Sequence, residues 1–210
     1  VEARRLWRHQ ARAVDAALGG SDVMLATGTA SGKSLAFTIP AVAAALDGGK
    51  RRGSCAALFL FPTKALAQDQ LGSLRRLLAA HWPDLTCATL DGDTPRGDRE
   101  TLAASPPSVV ITNPDMVHFT LLPGADGEWA KLLADVKLVV VDEAHVYVGA
   151  FGTHVAAVLR RLARCVADAP PRFFCCSATI ANPLEHGGRL LPPTPGRTLV
   201  LVDEDFSPRG

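Results

Sequence analysis

An apolar run, Val23-Met24-Leu25-Ala26, leads into Thr27-Gly28-Thr29-Ala30-Ser31-Gly32-Lys33-Ser34, which passes into a helical pattern from Leu35 to Leu46. No other stretch restricts the fold as tightly. A strand, a small-residue loop ending in Gly-Lys-Ser, and a helix make the layout of a phosphate-binding P-loop. Small residues let backbone N–H groups turn inward around a polyphosphate, and the helix N-terminus adds partial positive charge. On this reading Thr29, Ala30, Ser31 and Gly32 cradle a nucleotide, and Lys33 reaches its β- and γ-phosphates. The Ser34 hydroxyl ligates Mg²⁺. The match departs from the usual pattern at Thr27, where a first glycine is common, and at Ala30.

A second signal lies downstream in Lys137-Leu138-Val139-Val140-Val141-Asp142-Glu143-Ala144-His145. A buried strand delivers two adjacent carboxylates at its end. Burying both without a cation is costly, and Mg²⁺ removes the difficulty. Asp142 is expected to hold the metal through water, and Glu143 to orient and deprotonate an attacking water.

Other apolar runs end in short polar stretches. Ala56 to Phe61 precedes Pro62-Thr63-Lys64 and a helix with Ala67, Leu71, Leu74 and Leu78 on one stripe. Ser108 to Ile111 precedes Thr112-Asn113-Pro114-Asp115, and Arg172 to Cys176 precedes Ser177-Ala178-Thr179. Thr63, Lys64, Thr112 and Asn113 are candidates for holding a nucleic-acid phosphate; the same residues also read as plain turns and helix starts. The hydroxyls of Ser177 and Thr179 can bond the residues after the Asp-Glu pair and sense the γ-phosphate, or simply form a turn. Gln10 stands at the start of a helix-like segment, Ala11 to Leu18, and its amide suits the two-edged hydrogen-bonding face of adenine.

Further elements read as a short strand at Leu85–Leu90, a helix at Arg96–Ala104 and a helix at Pro183–Leu191. Thr198–Val202 reads as a last strand. Thr120 to Asp135 reads as surface insertion with a short helix at Trp129–Leu133. Gly149 to His154 reads as a glycine-rich turn before a helix carrying Val155, Val158, Leu159, Leu162 and Val166. Arg160, Arg161 and Arg164 take its solvated face, and His154 is a local hydrogen-bonding residue. Strands alternating with helices, most strands uniformly apolar, specify an α/β fold with a mostly parallel sheet and helices on both faces. Right-handed crossovers then bring the polar strand ends to one edge.

The 210 residues suffice for one good-sized domain, and 48% hydrophobic content supports a packed core. A net charge of +1 leaves any nucleic-acid contact to local patches, and the charges of the basic loop at 47–53 read as facing water. No apolar run reaches membrane-spanning length and no signal-peptide core follows the start. The reading is intracellular: cytoplasm in a bacterium, nucleus in a eukaryote. Five cysteines without a C-x-x-C pair read as free thiols, four of them buried, in a reducing compartment.

Together these residues resemble the first RecA-like domain of a superfamily 2 DEAH-type helicase. Gln10 sits like the adenine-reading glutamine, and Thr27 to Ser34 is similar to motif I. Phe61-Pro62-Thr63-Lys64-Ala65-Leu66-Ala67 resembles motif Ia, and Thr112-Asn113-Pro114-Asp115 resembles motif Ib. Asp142-Glu143-Ala144-His145 resembles motif II and Ser177-Ala178-Thr179 motif III. Asp91-Gly92-Asp93-Thr94-Pro95, Gly149 to His154, Asn182-Pro183 and the closing Val202 to Gly210 are similar to the RecQ-related branch. That branch includes the mitomycin repair factor helicases. The resemblance covers nearly the whole chain.

It implies a P-loop RecA-like three-layer sandwich that uses ATP and Mg²⁺. Glu143, Asp142 and Lys33 would be catalytic, and His145, Ser177 and Thr179 would couple hydrolysis to movement. It implies residues 1–202 as the ATP-binding domain and 203–210 as the start of a linker to a second RecA-like domain in the same chain. The implied partner is single-stranded or forked DNA, with no membrane. The implied activity is 3′-to-5′ unwinding in repair, with an RNA-remodelling ATPase or a motor-less binding module as alternatives. The second domain would supply an arginine finger, so this segment alone is expected to hydrolyse ATP poorly.

Overall fold

The computed structural model describes residues 5–47, 53–166 and 169–207. Residues 48–52 of the basic loop and 208–210 of the proposed linker lie outside the described residues.

Among the described residues seven strands form one sheet: β1 (Asp22–Ala26), β2 (Ala57–Leu60), β3 (Cys87–Thr89), β4 (Val109–Thr112), β5 (Leu138–Val141), β6 (Arg172–Ser177) and β7 (Leu199–Val202). Their order is β3-β4-β2-β5-β6-β1-β7, and every neighbouring pair is parallel. Both faces are covered, which explains why β1, β2, β4 and β5 are buried at every residue rather than at alternate ones.

Alternation along the strands sorts the core into two layers. Val23, Leu25, Phe59, Val140 and Phe174 point to one face, where they meet α1 (Arg8–Leu18), α2 (Lys33–Asp47) and α3 (Lys64–His81). Phe37 from α2 packs edge-on against Phe59, with ring centroids 5.1 Å apart. Met24, Leu58, Val139, Val141 and Phe173 point to the other face. There they meet α4 (Arg96–Ala104), α5 (Pro114–Met116), α6 (Ala130–Ala134), α7 (Gly149–Cys165) and α8 (Pro183–Leu190). The parallel sheet with helices on both faces expected from the alternation is what forms, in the three-layer arrangement that the resemblance implied.

Two expectations are corrected. Thr120–Asp135 is core, not surface insertion: Leu121, Leu122, Trp129, Leu132 and Leu133 are all buried. The chain turns here through a π-helical segment, Val117–Leu121, and a run of turns. Neighbouring residues such as Leu121 and Leu122 therefore both face inward, and no helical or strand period marks them. The glycines at 149–154 are not a turn either, because α7 starts at Gly149. A Cβ at Gly152 would lie 2.3 Å from the Tyr147 carbonyl oxygen. The glycine lets the helix start sit directly on that backbone.

The arginines of α7 are only partly solvated. Arg161 donates to His118 Nδ1 (2.9 Å) and Arg160 to the Arg189 carbonyl (3.0 Å), while Arg164 is exposed. His154 makes an edge-on ring contact with His118 at 4.9 Å, and among the described residues it has no side-chain hydrogen bond of the expected local kind. Among the described residues no helix is long and apolar enough to cross a membrane. Cys55, Cys87, Cys175 and Cys176 are buried free thiols and Cys165 is exposed.

Candidate nucleotide and nucleic-acid site

Sheet register assembles the site. Ala26 of β1 is level with Ser177 of β6, and Val141 of β5 is level with Cys175. β6 lies between β1 and β5, so the P-loop, the Asp142-Glu143 pair and Ser177–Thr179 leave three adjacent strands at one edge. Open α/β sheets place ligands at this edge.

The P-loop is closed on itself. Lys33, the first residue of α2, donates from Nζ to the carbonyls of Thr27 (3.0 Å) and Gly28 (2.7 Å). The Thr27 and Ser31 hydroxyls bond at 2.7 Å inside the loop. Ala30 and Gly32 take positive φ, 62° and 72°. Such left-handed residues turn successive N–H groups to one side, the geometry of an anion-binding nest. Ala30 holds this conformation despite its Cβ, and strained backbone of this kind clusters at ligand sites.

Gln10 has a different first role from the one expected. Its Oε1 accepts from the Trp7 N–H (2.9 Å) and its Nε2 donates to the Gly32 carbonyl (2.9 Å). The side chain is buried and ties α1 to the P-loop. One N–H and one lone pair of the amide are left for a base. His9 beside it is a site residue that the sequence did not single out. It is fully buried, with Nε2 2.8 Å from the Ser31 carbonyl. Only its position next to Gln10 hinted at this, since its partner is 22 residues away.

Asp142 and Glu143 follow β5. Asp142 Oδ1 accepts from the Glu143 N–H at 2.9 Å. Burial pushes the Asp142 carboxyl up to about 6; the neighbouring Glu143 charge adds to the rise, while that hydrogen bond and Lys33 oppose it. A carboxylate this reluctant to ionise beside a lysine suits a divalent cation, so the residues present fit Mg²⁺, with Ser34 in the first turn of α2 as the second donor. Glu143 itself is left-handed, φ 50°, which sets it at the bend into the 3₁₀ turn Ala144–Val146.

His145 Nδ1 lies 3.2 Å from Glu143 Oε2 and 3.4 Å from the Ala178 N–H. One ring nitrogen either donates to the carboxylate or accepts from the amide. The link between the acidic pair and the Ser177–Thr179 stretch therefore runs through backbone, a correction to the expected hydroxyl bonds. Ser177 Oγ is buried with no hydrogen-bond partner among the described residues.

The nucleic-acid candidates separate. Thr112 is buried and donates its hydroxyl to the Leu90 carbonyl (2.7 Å), so it locks β4 to the chain after β3 and does not face a strand; this too is a correction. Asn113 caps α5 through Oδ1, accepting from the Met116 N–H, which leaves its NH₂ group out of the cap. Thr63 caps α3, accepting weakly from the Leu66 N–H at 3.4 Å. Lys64 is exposed and pairs with Asp93. The ordinary helix-start role and the strand-edge position thus hold together for Thr63 and Asn113.

A parallel sheet with this order and a P-loop beside an acidic strand end defines a RecA-like nucleotide-binding domain of the helicase type. Residues 7–186 match the DEAD/DEAH box helicase family, and the chain belongs to that family. It is 44% identical, over 98% of its length, to the ATP-dependent helicase hrq1 of Schizosaccharomyces pombe, covering 19% of that protein. It is 40% identical over 98% of its length to the ATP-dependent helicase YprA of Bacillus subtilis, covering 26%. The crystal structure of the DUF1998 helicase MrfA bound to DNA and AMPPNP superposes with a TM-score of 0.88 at 39% identity. That match covers all of this chain and 28% of MrfA. The chain thus spans about a fifth to a quarter of the curated relatives' length.

Proposed function

We propose that this chain is the ATP-binding half of a nucleic-acid-stimulated motor, a 3′-to-5′ DNA helicase acting in DNA repair. The observation that carries the reading is the meeting of Lys33, Asp142 and Glu143 at one sheet edge in a chain of helicase family. Residues 1–202 form the ATP-binding domain, and 203–210 begin a linker to a second RecA-like domain. The partner is single-stranded or forked DNA; the relative solved with DNA supports DNA as its class.

Lys33 leaves the Thr27 and Gly28 carbonyls to hold the β- and γ-phosphates, and the loop amides of Thr29 to Gly32 replace water around them. Gln10 offers its remaining N–H and lone pair to the base. Ser34 and Asp142 would hold Mg²⁺, which would supply charge neutralisation at the phosphates. Glu143 orients the attacking water and takes its proton. His145 Nδ1 faces both Glu143 and the Ala178 N–H and bonds one at a time, so a change at Glu143 switches its partner and reaches the stretch whose shift moves the strand contacts. Thr63, Lys64 and Asn113 hold backbone phosphates, which makes binding salt-dependent and sequence-tolerant. Such a protein works in the cytoplasm of a bacterium or the nucleus of a eukaryote.

The test is ATPase activity of the full-length protein with single-stranded DNA against RNA of equal length. DNA stimulation is expected. Preference for RNA would move the protein to the RNA-remodelling class, and no stimulation by either would make it a binding module.

A further inference from the structure

The segment after β7 doubles back onto the P-loop. Arg12 Nη1 donates to Glu204 Oε2 at 2.9 Å, and the Arg8 guanidinium lies 5.2 Å from the centre of the Phe206 ring. His9 touches both partners at once: Nε2 bonds the Ser31 carbonyl and Nδ1 accepts from the Phe206 N–H at 3.2 Å. A carbonyl only accepts, so the two contacts together assign the ring hydrogen to Nε2.

Asp205 completes the set. Its Oδ1 accepts from the Ser207 N–H (2.9 Å) and its Oδ2 from the Gly28 N–H (3.2 Å). Bonds from Ser207, and then from Gly28, hold its carboxyl below the usual carboxylate range. The approach is close: a Cβ on Gly28 would lie 3.1 Å from Asp205 Oδ2.

The peptide unit between Thr27 and Gly28 is therefore bonded at both ends. Its oxygen accepts from the Lys33 ammonium and its N–H donates to the Asp205 carboxylate. Opposite charges polarise one amide from its two sides, and each bond strengthens the other. The lysine that a triphosphate must recruit is held on the loop's own carbonyls, and that hold is reinforced from beyond β7.

We propose that Asp205 is a positioning residue for the P-loop: through the Thr27–Gly28 peptide it keeps Lys33 at rest, and triphosphate binding loosens the Glu204–Phe206 segment from the domain. The proposal rests on the ATP reading above. Drawing Lys33 onto phosphate takes the cation off the Thr27 oxygen and weakens the Gly28–Asp205 bond. It also brings negative charge toward a carboxylate. Coupling of this kind is reciprocal, so whatever holds the segment down opposes the nucleotide by the same factor. Occupancy of the loop is thereby passed to the chain leaving β7.

Hydrogen exchange on the full-length protein, with and without saturating AMP-PNP and Mg²⁺, reads this without any substitution. The Phe206 amide is expected to exchange about fivefold faster with nucleotide, while P-loop amides slow. Asp205→Asn removes the charge and one of the two acceptor oxygens, so the amide can turn its oxygen to Gly28 or to Ser207 but not to both. The variant is expected to lower the Kd for AMP-PNP about fivefold, whereas a purely structural contact gives unchanged or weaker binding. A protein that binds AMP-PNP with Phe206 exchange unchanged or slowed, or an Asp205→Asn variant that binds no tighter, overturns this proposal and leaves the ATP reading standing. Failure to bind AMP-PNP at all removes both.

Discussion

Gln10 and Gly32 are joined by a 2.9 Å hydrogen bond from the glutamine Nε2 to the glycine carbonyl, and the glycine has no room for a side chain on that side. A Cβ at Gly32 would lie 2.4 Å from Gln10 Nε2, on a backbone at φ 72°. Gly32→Ala is expected to cost about 2 kcal/mol of stability and to weaken nucleotide binding. Shortening the partner in Gly32→Ala/Gln10→Ala removes the clash but not the φ strain. The double variant should therefore be more stable than the sum of the two single losses. Denaturant unfolding of the four proteins measures the coupling, and simple additivity would mean that the two residues do not meet.

Glu143 and Lys33 should fail in different ways. In the full-length protein Glu143→Gln is expected to keep nucleotide binding and lower strand-stimulated turnover by about 10²–10⁴. Lys33→Ala should weaken binding as well as turnover, because the same ammonium holds ground-state phosphates. Binding by fluorescent nucleotide titration and turnover by phosphate release separate the two. Unchanged turnover in Glu143→Gln would take that residue out of the base role.

The Asp142 carboxyl, pushed up to about 6 by burial from an ordinary 3.8, predicts a pH effect of definite sign. The folded chain holds this proton more tightly than the unfolded one. The group's contribution to stability is therefore full below about pH 4 and is lost as pH rises through about 6, a span worth at most about 3 kcal/mol. Asp142→Asn has no proton to lose. Without nucleotide or divalent cation, the variant should gain on the wild type between pH 4 and pH 7 in denaturant titrations. A difference that stays flat would show that Asp142 ionises as freely as in water.

Trp129 tests the reassignment of 120–135 from surface to core. It is 1% exposed and lies in the same core layer as Leu132, Leu133 and Val136. Trp129→Ala is expected to cost about 3–5 kcal/mol, read by thermal or denaturant unfolding. A loss under about 1 kcal/mol, the range of surface substitutions, would return the segment to the periphery.

Gly152→Ala probes the turn behind the acidic pair. The added carbon meets backbone at Tyr147 rather than the end of a flexible side chain, so the neighbour has no easy way to give. The start of α7 must shift, at a cost of about 2 kcal/mol or more, and turnover in the full-length protein should fall with it. Normal stability and turnover would mean that α7 can lift off Tyr147 freely.

Residue order alone determined the layers, the parallel sheet and the rim of the site. Unbroken apolar runs mark strands covered on both faces, and right-handed crossovers carry their ends to one edge, so Lys33, Asp142 and Glu143 were legible as a set. Local chemistry also announced the caps at Thr63 and Asn113. Contacts between distant segments have no such signature. His9 meets Ser31 and Phe206 across 22 and 197 residues, and Asp205 meets Gly28 across 177. Thr112 looked free to face a strand until β4 was laid beside the chain leaving β3, which captures its hydroxyl. The core around Trp129 was hidden because π-helical and turn backbone has no period for apolar residues to follow. Short-range periodicity writes a fold into a string, whereas the partners of a single polar side chain are settled only when packing brings remote pieces of backbone within hydrogen-bond reach.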